Sequence, residues 1–289
     1  MRQSYDKPTG VMNFKKNIDL ATANSFGEEW EKFSQEDLNE IEAKRRFEEY
    51  FHIFPWNDLP DKAEGIDVGC GSGRWDKFVA PRVEKLHCVE PAEKAINIAK
   101  KQLVNFNNIE FHNCSLNDLT IPPASQDFCF SLGVLHHVPN TFNALLSCVQ
   151  FLKPKAPILI YLYYKFDDRS KWFKFLWKIS DKIRKIIVKL PSKYKNLICE
   201  IIAFVVYLPC AKISLILNKL NIDVSSFPLS YYRNCSFYSM RTDARDRFGT
   251  PIEKRFNRSE IIEMCHKAGL ENIVFSSNAP YWCFVARKK

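Results

Sequence analysis

Gly69, Gly71 and Gly73 fall within five positions of each other, although the 289-residue chain holds only nine glycines. Concentrating a scarce, permissive residue in this way implies a backbone turn that other residues would strain. The turn lies in GIDVGCGSGRW (65–75), after the short apolar segment EGIDV (64–68) and before RWDKFVAP (74–81), which reads as a helix stopped by proline. A strand that enters a glycine turn and leaves as a helix puts a ligand at the carboxyl edge of a sheet, beside a helix N-terminus. The spacing is Asp-x-Gly-x-Gly-x-Gly, and Arg74 stands where the third glycine of a pyrophosphate-binding turn belongs. Asp67 would repel a pyrophosphate. It suits a ligand with a cation, such as the amino group of a methionine moiety. Glu90 ends the next apolar segment, KLHCVE (85–90), seventeen residues after Gly73. That is the usual place for a carboxylate that accepts both hydroxyls of a ribose.

Two histidines, His136 and His137, follow the apolar run DFCFSLGVL (127–135) and fall on the same carboxyl edge. Histidine titrates near neutrality, so either is a candidate general base, with His136 slightly preferred. Packing or capping of the next helix is the competing role. Tyr163 and Tyr164 end a later apolar run on that edge and read as pocket or packing aromatics. The ten cysteines are scattered, with no Cys-x-x-Cys pair, so no metal site is expected and the thiols read as reduced and buried.

The elements that position these residues alternate. Strands are expected at 64–68, 85–90, 108–113, 127–135 and 156–164, with helices at 74–81, 92–103 and 141–152. Continuously apolar strands between helices imply a parallel sheet covered on both faces, an α/β doubly wound fold. Residues 1–24 are polar and read as a loose arm, and 25–51 as one or two helices in which Phe26 and Trp30 cap the ligand or join the core. The alternation breaks after 164 and returns near 258 with SEIIEMCHKAGL as a helix and two strands joined by a short turn. The organisation expected is therefore 1–59 as arm and capping helices, 60–164 with 256–289 as the sheet domain, and 165–255 as a helical basic insertion between strands five and six.

At this point the chain resembles class I S-adenosylmethionine-dependent methyltransferases, in particular the type 11 small-molecule branch that includes quinone-biosynthesis methyltransferases. The matching pieces are GIDVGCGSGRW, the acid in CVEP, QDFCFSLGVLHHVPN (126–140) and the ending KAGLENIVF…YWCFVARK. The resemblance implies a mostly parallel seven-stranded, Rossmann-like sheet and S-adenosyl-L-methionine as cofactor. Asp67, Gly69, Gly71 and Gly73 would cradle the methionine part, and Glu90 the ribose. Where many relatives have Gly-Asp-Ala after strand three, this chain has Cys114-Ser115-Leu116. Ser115 would accept a hydrogen bond there, and the Leu116 amide would reach the adenine. The implied reaction is methyl transfer to an oxygen or nitrogen of a small-molecule or lipid-linked acceptor, such as a quinone-like or isoprenoid-linked molecule or a surface-polysaccharide sugar. The alternatives are a non-catalytic binder of the same cofactor, and a nicotinamide-dependent oxidoreductase, which the glycine spacing disfavours.

Net charge is +9, and it is local: residues 165–195 carry eleven Lys and Arg against three Asp, a net of +8. Lysines 171, 174, 178, 182, 185 and 189 recur at steps of three and four, opposite Trp172, Phe175, Leu176, Ile179, Ile183, Ile186, Ile187 and Leu190. Such a helix suits either a lid packed on the sheet or an anionic membrane surface contacted through 171–190. The apolar run at 197–217 contains Glu200, Pro209 and Lys212, so a half-embedded or buried helix fits it better than a spanning one. One basic stripe without an RNA-binding module gives no reason to expect nucleic acid. The arginines of 230–256 read either as a pocket for an acidic substrate or as Arg–Asp braces. With no apolar core of a signal peptide in MRQSYDKPTG, the expected location is cytoplasmic, with peripheral attachment to the inner face of the membrane as an extension.

Overall fold

The computed structural model describes residues 17–166 and 169–289. Most of the expected N-terminal arm lies outside the described residues, and a helix, α1 (Leu20–Lys32), begins within its last part. The chain then runs α2 (Glu40–Phe51), β1 (Glu64–Val68), α3 (Asp76–Val79), β2 (Lys85–Val89), α4 (Glu93–Gln102), β3 (Ile109–His112), β4 (Phe128–Leu132), α5 (Thr141–Phe151) and β5 (Pro157–Tyr161). After a helical stretch come α10 (Arg258–Lys267), β6 (Leu270–Phe275) and β7 (Cys283–Lys288). The stretch between β5 and α10 holds α6 (Lys171–Ile187), α7 (Ser192–Ile202), α8 (Leu208–Lys219) and α9 (Phe237–Gly249).

All seven strands form one sheet in the order β3-β2-β1-β4-β5-β7-β6. The first five pair in parallel, while β7 runs antiparallel between β5 and β6. This is the mostly parallel, doubly wound architecture expected from the strand pattern. The central strands are apolar throughout because both faces are covered. Along β4, Phe128 and Phe130 point into one core with Leu86, Val79, Phe47 and Phe51, while Cys129 points into the other with Ile66, Ile158, Cys148 and Cys265. The strand order reverses between β1 and β4, so the loops after these two strands flank a crevice at the carboxyl edge. The glycine turn and the two histidines stand on these two loops.

The described residues divide into two compact units. One comprises 17–31, 44–165 and 252–289 and contains the sheet; the other comprises Lys32–Ala43 and Phe166–Pro251 and is helical. In the helical unit, Cys199, Ala203, Tyr207 and Ala211 pack on Met240, Ala244 and Phe248 of α9. The sequence pattern did not disclose α9. Its buried face is mixed, with Ser239, Thr242 and Arg245 beside Met240, Ala244 and Phe248, so no apolar period marks it.

The helix that returns the chain to the sheet carries a clear start signal. Asn257 Oδ1 accepts from the Glu260 amide at 2.8 Å, and Glu260 Oε2 accepts from the Asn257 amide at 2.8 Å, a reciprocal capping box. Asn257→Ala is expected to lower stability by about 1 kcal/mol, read from the midpoint of urea unfolding, with the m-value unchanged.

Candidate active site

The turn after β1 has the geometry its glycines imply: Gly69, Gly71 and Gly73 all have positive φ, at 80°, 57° and 78°. Space excludes larger residues as well as conformation does. A Cβ on Gly71 would lie 2.9 Å from Trp30 Nε1, and one on Gly69 would lie 2.6 Å from Val134. Trp30 of α1 therefore lies directly on the turn, and Arg74 stacks between the rings of Trp30 and Trp75. Val134, just before the two histidines, ties the β4 loop to the same turn.

Glu90 is the clamp of this edge. Its Oε2 accepts from the Gly71 amide at 3.1 Å and its Oε1 from the Ala92 amide at 2.9 Å. The carboxyl group thus joins the glycine turn to the entry of α4. Burial pushes its pKa up to about 7, against the lowering effect of the Ala92 and Gly71 amides. Beneath the turn lie two further buried acids, Asp67 and Asp76. Burial first, then the facing Asp76 and the Glu90 charge, hold Asp67 well above the usual carboxylate range; Arg74 offsets this only in part. Asp76 is pushed up to about 7 by burial, opposed by hydrogen bonds with Asp67 and Cys88. Asp67 and Asp76 face each other, and burial with mutual repulsion favours one shared proton between them over two charges. Asp67 Oδ2 is buried without a hydrogen-bond donor among the described residues.

Cys70 and Cys88 complete a cluster with Asp76 whose ligand atoms lie within 4.8 Å of one another. Cys70 is kept as a thiol: a hydrogen bond with Cys88 lowers its pKa, but burial and three neighbouring carboxylates drive it to about 12. A second cluster, His87, Glu110 and His112, spans β2 and β3. Here His87 Nδ1 and His112 Nε2 are hydrogen-bonded at 3.0 Å and Lys85 takes Glu110 at 2.6 Å, so these groups satisfy one another. All ten cysteines are free, and seven of them are buried.

The histidines separate by environment. His136 is fully buried, with its ring 3.7 Å from that of Tyr163 and 4.1 Å from that of His137. Burial, then the charges of His137 and Arg255, hold its pKa well below the usual value, so its ring is neutral and enclosed. His137 Nδ1 lies 2.6 Å from the Ile252 carbonyl. That contact fixes Nδ1 as the protonated nitrogen and leaves Nε2 with the lone pair. Phe26 of α1 packs edge-on against the His137 ring at 5.0 Å. Both rings are buried, and His137 differs from His136 in placing its Nδ1 on the Ile252 carbonyl. Adjacent positions gave no signal to separate them; only the Ile252 backbone, distant in sequence, does so.

Ser115 and Leu116 lie beyond β3. Ser115 Oγ donates to Asp118 Oδ2 at 2.7 Å, so its hydroxyl oxygen retains acceptor capacity, and Leu116 is half-buried against the core. Tyr163 and Tyr164 pack: Arg255 lies over the Tyr163 ring and its Nη1 donates to the Tyr164 carbonyl at 3.0 Å. The remaining arginines of 230–256 act as internal braces. Arg241 grips Glu200 with two hydrogen bonds of 2.6 and 2.8 Å, Arg245 holds Asn196, and Arg233 holds the Ser230 carbonyl. These three arginines are thus held by Glu, Asn and backbone groups of the helical unit.

Comparison with known proteins adds to this geometry. Residues 66–160 match the model of a methyltransferase domain family. The chain is 26% identical over 154 residues to the ubiquinone biosynthesis O-methyltransferase of Dechloromonas aromatica, covering 50% of this chain and 63% of that protein. It is 29% identical over 90 residues to the Nitrosomonas europaea protein of the same name, covering 30% of this chain and 38% of that one. The chain thus spans less than two thirds of either relative. Among solved structures it is similar to a Thermotoga maritima S-adenosylmethionine-dependent methyltransferase, a possible histamine N-methyltransferase, with a TM-score of 0.46 and 14% identity over 91% of this chain and 100% of that one. The resemblance to class I S-adenosylmethionine-dependent methyltransferases read from the glycine turn and its acid is borne out.

The raised carboxyl groups give the ligand-free protein a signed pH dependence. Between about pH 4, where unfolded carboxylates titrate, and about 7, where Asp76 and Glu90 titrate in the fold, the folded state binds more protons than the unfolded chain. Their contribution to stability is full below the unfolded pKa and is lost as pH rises through the folded values. Asp76→Asn removes one member of the pair, so its melting temperature should fall less steeply than that of the native chain between pH 5 and 8; equal slopes in differential scanning fluorimetry would refute the shared proton.

Proposed function

We propose that this chain is an S-adenosylmethionine-dependent methyltransferase that acts on an oxygen or nitrogen of a small-molecule or lipid-linked acceptor. The observation that carries the reading is the carboxyl edge itself. Positive-φ glycines open beneath Trp30, Glu90 stands at the end of β2, and Asp67 is buried with an oxygen that lacks a donor. A ligand with a cationic amino group and a ribose supplies what these groups lack, whereas a pyrophosphate meets three acids. Asp67 with the glycine turn would hold the methionine part. Glu90 would accept the ribose hydroxyls with the lone pairs its two amide partners leave free. Ser115 and the Leu116 amide would meet the adenine.

When bound, the cofactor supplies an electrophilic methyl group on a sulfonium. The protein's own task is then to position the acceptor and to take up a proton if the acceptor is a hydroxyl. His137 is built for that proton: its Nδ1–H is spent on the Ile252 carbonyl, so Nε2 is the basic atom. His136 backs it as a neutral packing ring. A hydroxyl acceptor fits this arrangement best. The similarity to O-methyltransferases of ubiquinone biosynthesis supports a lipid-linked phenol as the first class to test.

Calorimetry is expected to detect S-adenosylhomocysteine and not NAD. Gly71→Arg, whose side chain must displace Trp30, should abolish that binding while circular dichroism stays native; unchanged affinity would refute the site. With methyl-labelled cofactor and a fractionated lysate, label is expected in the lipid extract, and His137→Ala should cut its rate by roughly 100-fold or more with cofactor affinity unchanged. Cofactor binding without transfer to any fraction would instead mark a non-catalytic binder.

A further inference from the structure

The helical unit holds an apolar surface that its own core does not use. On α6, Trp172, Phe175, Leu176, Ile179, Ile183 and Ile186 are all exposed, Phe175 by 63% and Ile186 by 66%. At about 100° per residue these six form one stripe. The side that packs is a different one: Arg184 and Ile187 are buried, with Arg184 Nη1 bonded to the Thr250 and Pro251 carbonyls. The lysines form a third stripe, and Lys171, Lys178, Lys182 and Lys189 are exposed on it. At about 100° per residue the apolar stripe is centred roughly 90° from the lysines and 100° from the packed side, which lies nearly opposite the lysines. Of the three stripes, one fixes the helix to its unit, one is apolar, and one is cationic.

The next helical rod repeats the arrangement. From Ser192 to Lys219 it is long and apolar enough to cross a membrane, with 22% of its apolar window buried. One side nonetheless belongs to the protein: Lys195, Cys199, Ala203, Tyr207 and Ala211 are buried at steps of four. The other side exposes Tyr194, Leu197, Ile201, Phe204, Ile213 and Ile216, with Lys193, Lys212 and Lys219 also exposed. The residues from Lys171 to Lys219 contain only two acids, and both are paired. Asp181 holds Arg184 and Lys185, and Glu200 holds Lys32 and Arg241. The outward surface therefore offers apolar side chains and positive charge with no unpaired negative group.

We propose that α6 and the α7–α8 rod of the helical unit form a docking surface for an anionic lipid bilayer, lying in the headgroup region rather than spanning it. Charge complementarity selects this occupant: lysines beside an apolar stripe match acidic headgroups above acyl chains. A rod packed along one side on α9 has only its other side to give to lipid. The proposal rests on the helical unit alone and stands independently of the methyl-transfer reading.

Flotation of the full chain tests it, with vesicles of equal phosphatidylcholine and phosphatidylglycerol compared with pure phosphatidylcholine. Recovery with the anionic vesicles at low salt, and its loss on neutral vesicles or at high salt, is expected. Lys178→Glu/Lys182→Glu/Lys189→Glu should weaken recovery by about tenfold or more. Phe175→Ser/Ile179→Ser should weaken it too, and because all five positions are exposed both variants should keep native circular dichroism and S-adenosylhomocysteine affinity. No recovery on anionic vesicles at low salt would overturn the proposal. So would a dimer in sedimentation that Phe175→Ser/Ile179→Ser splits while flotation stays absent, since the stripe would then serve a second copy of the chain.

Discussion

The two hydrogen bonds accepted by Glu90, from the Gly71 and Ala92 amides, are the constraint on which the carboxyl edge depends. They fix one carboxyl group between the glycine turn and the start of the next helix. Through Gly71 they set the surface on which Trp30 rests, and through Trp30 the position of α1 above it. The cost is the burial of a charge beside two other acids. Their raised affinities for protons show how that cost is met in the ligand-free protein, with protons held where a cationic, hydroxylated ligand would otherwise supply the balance.

A second layer follows from the strand order. Because the strand order reverses between β1 and β4, the acids and the histidines reach one crevice from two loops. Val134 against Gly69 joins those loops, and Phe26 against His137 lets the same capping helix that covers the turn also touch the candidate base. One helix thus packs against both the glycine turn and the histidine loop.

Much of the sheet was legible because parallel strands buried on both faces leave continuous apolar runs: β1 coincides with the expected 64–68, and β2 lies one residue inside 85–90. The candidate acids stood out in the sequence because Asp67 lies in the glycine turn and Glu90 at the end of the next strand. What escaped was decided by long-range partners. His137 differs from His136 through the Ile252 carbonyl, and α9 is helical although its buried face mixes Thr242 and Arg245 with apolar residues. The arginines of 230–256 read in sequence as either a substrate pocket or internal braces, and only the fold brings Glu200 and Asn196 onto Arg241 and Arg245.

The rod from Ser192 to Lys219 contains one wider-wound π segment, Ala203–Tyr207. An uninterrupted α-helix advances 400° over four residues, so a buried face repeated every fourth position would creep around the axis by about 40° at each step. The π segment absorbs the rotation of about one residue, roughly 100° of the 160° that four such steps accumulate, and acts as a phase corrector. It keeps Lys195 and Ala211, at opposite ends, on the same packed line. Rewinding it as plain α-helix with no residue removed would leave both halves helical but rotate the C-terminal half by about 100°, turning Ala211 outward and the exposed isoleucines toward α9. In this rod, sorting between inside and outside is carried by helical phase as much as by composition.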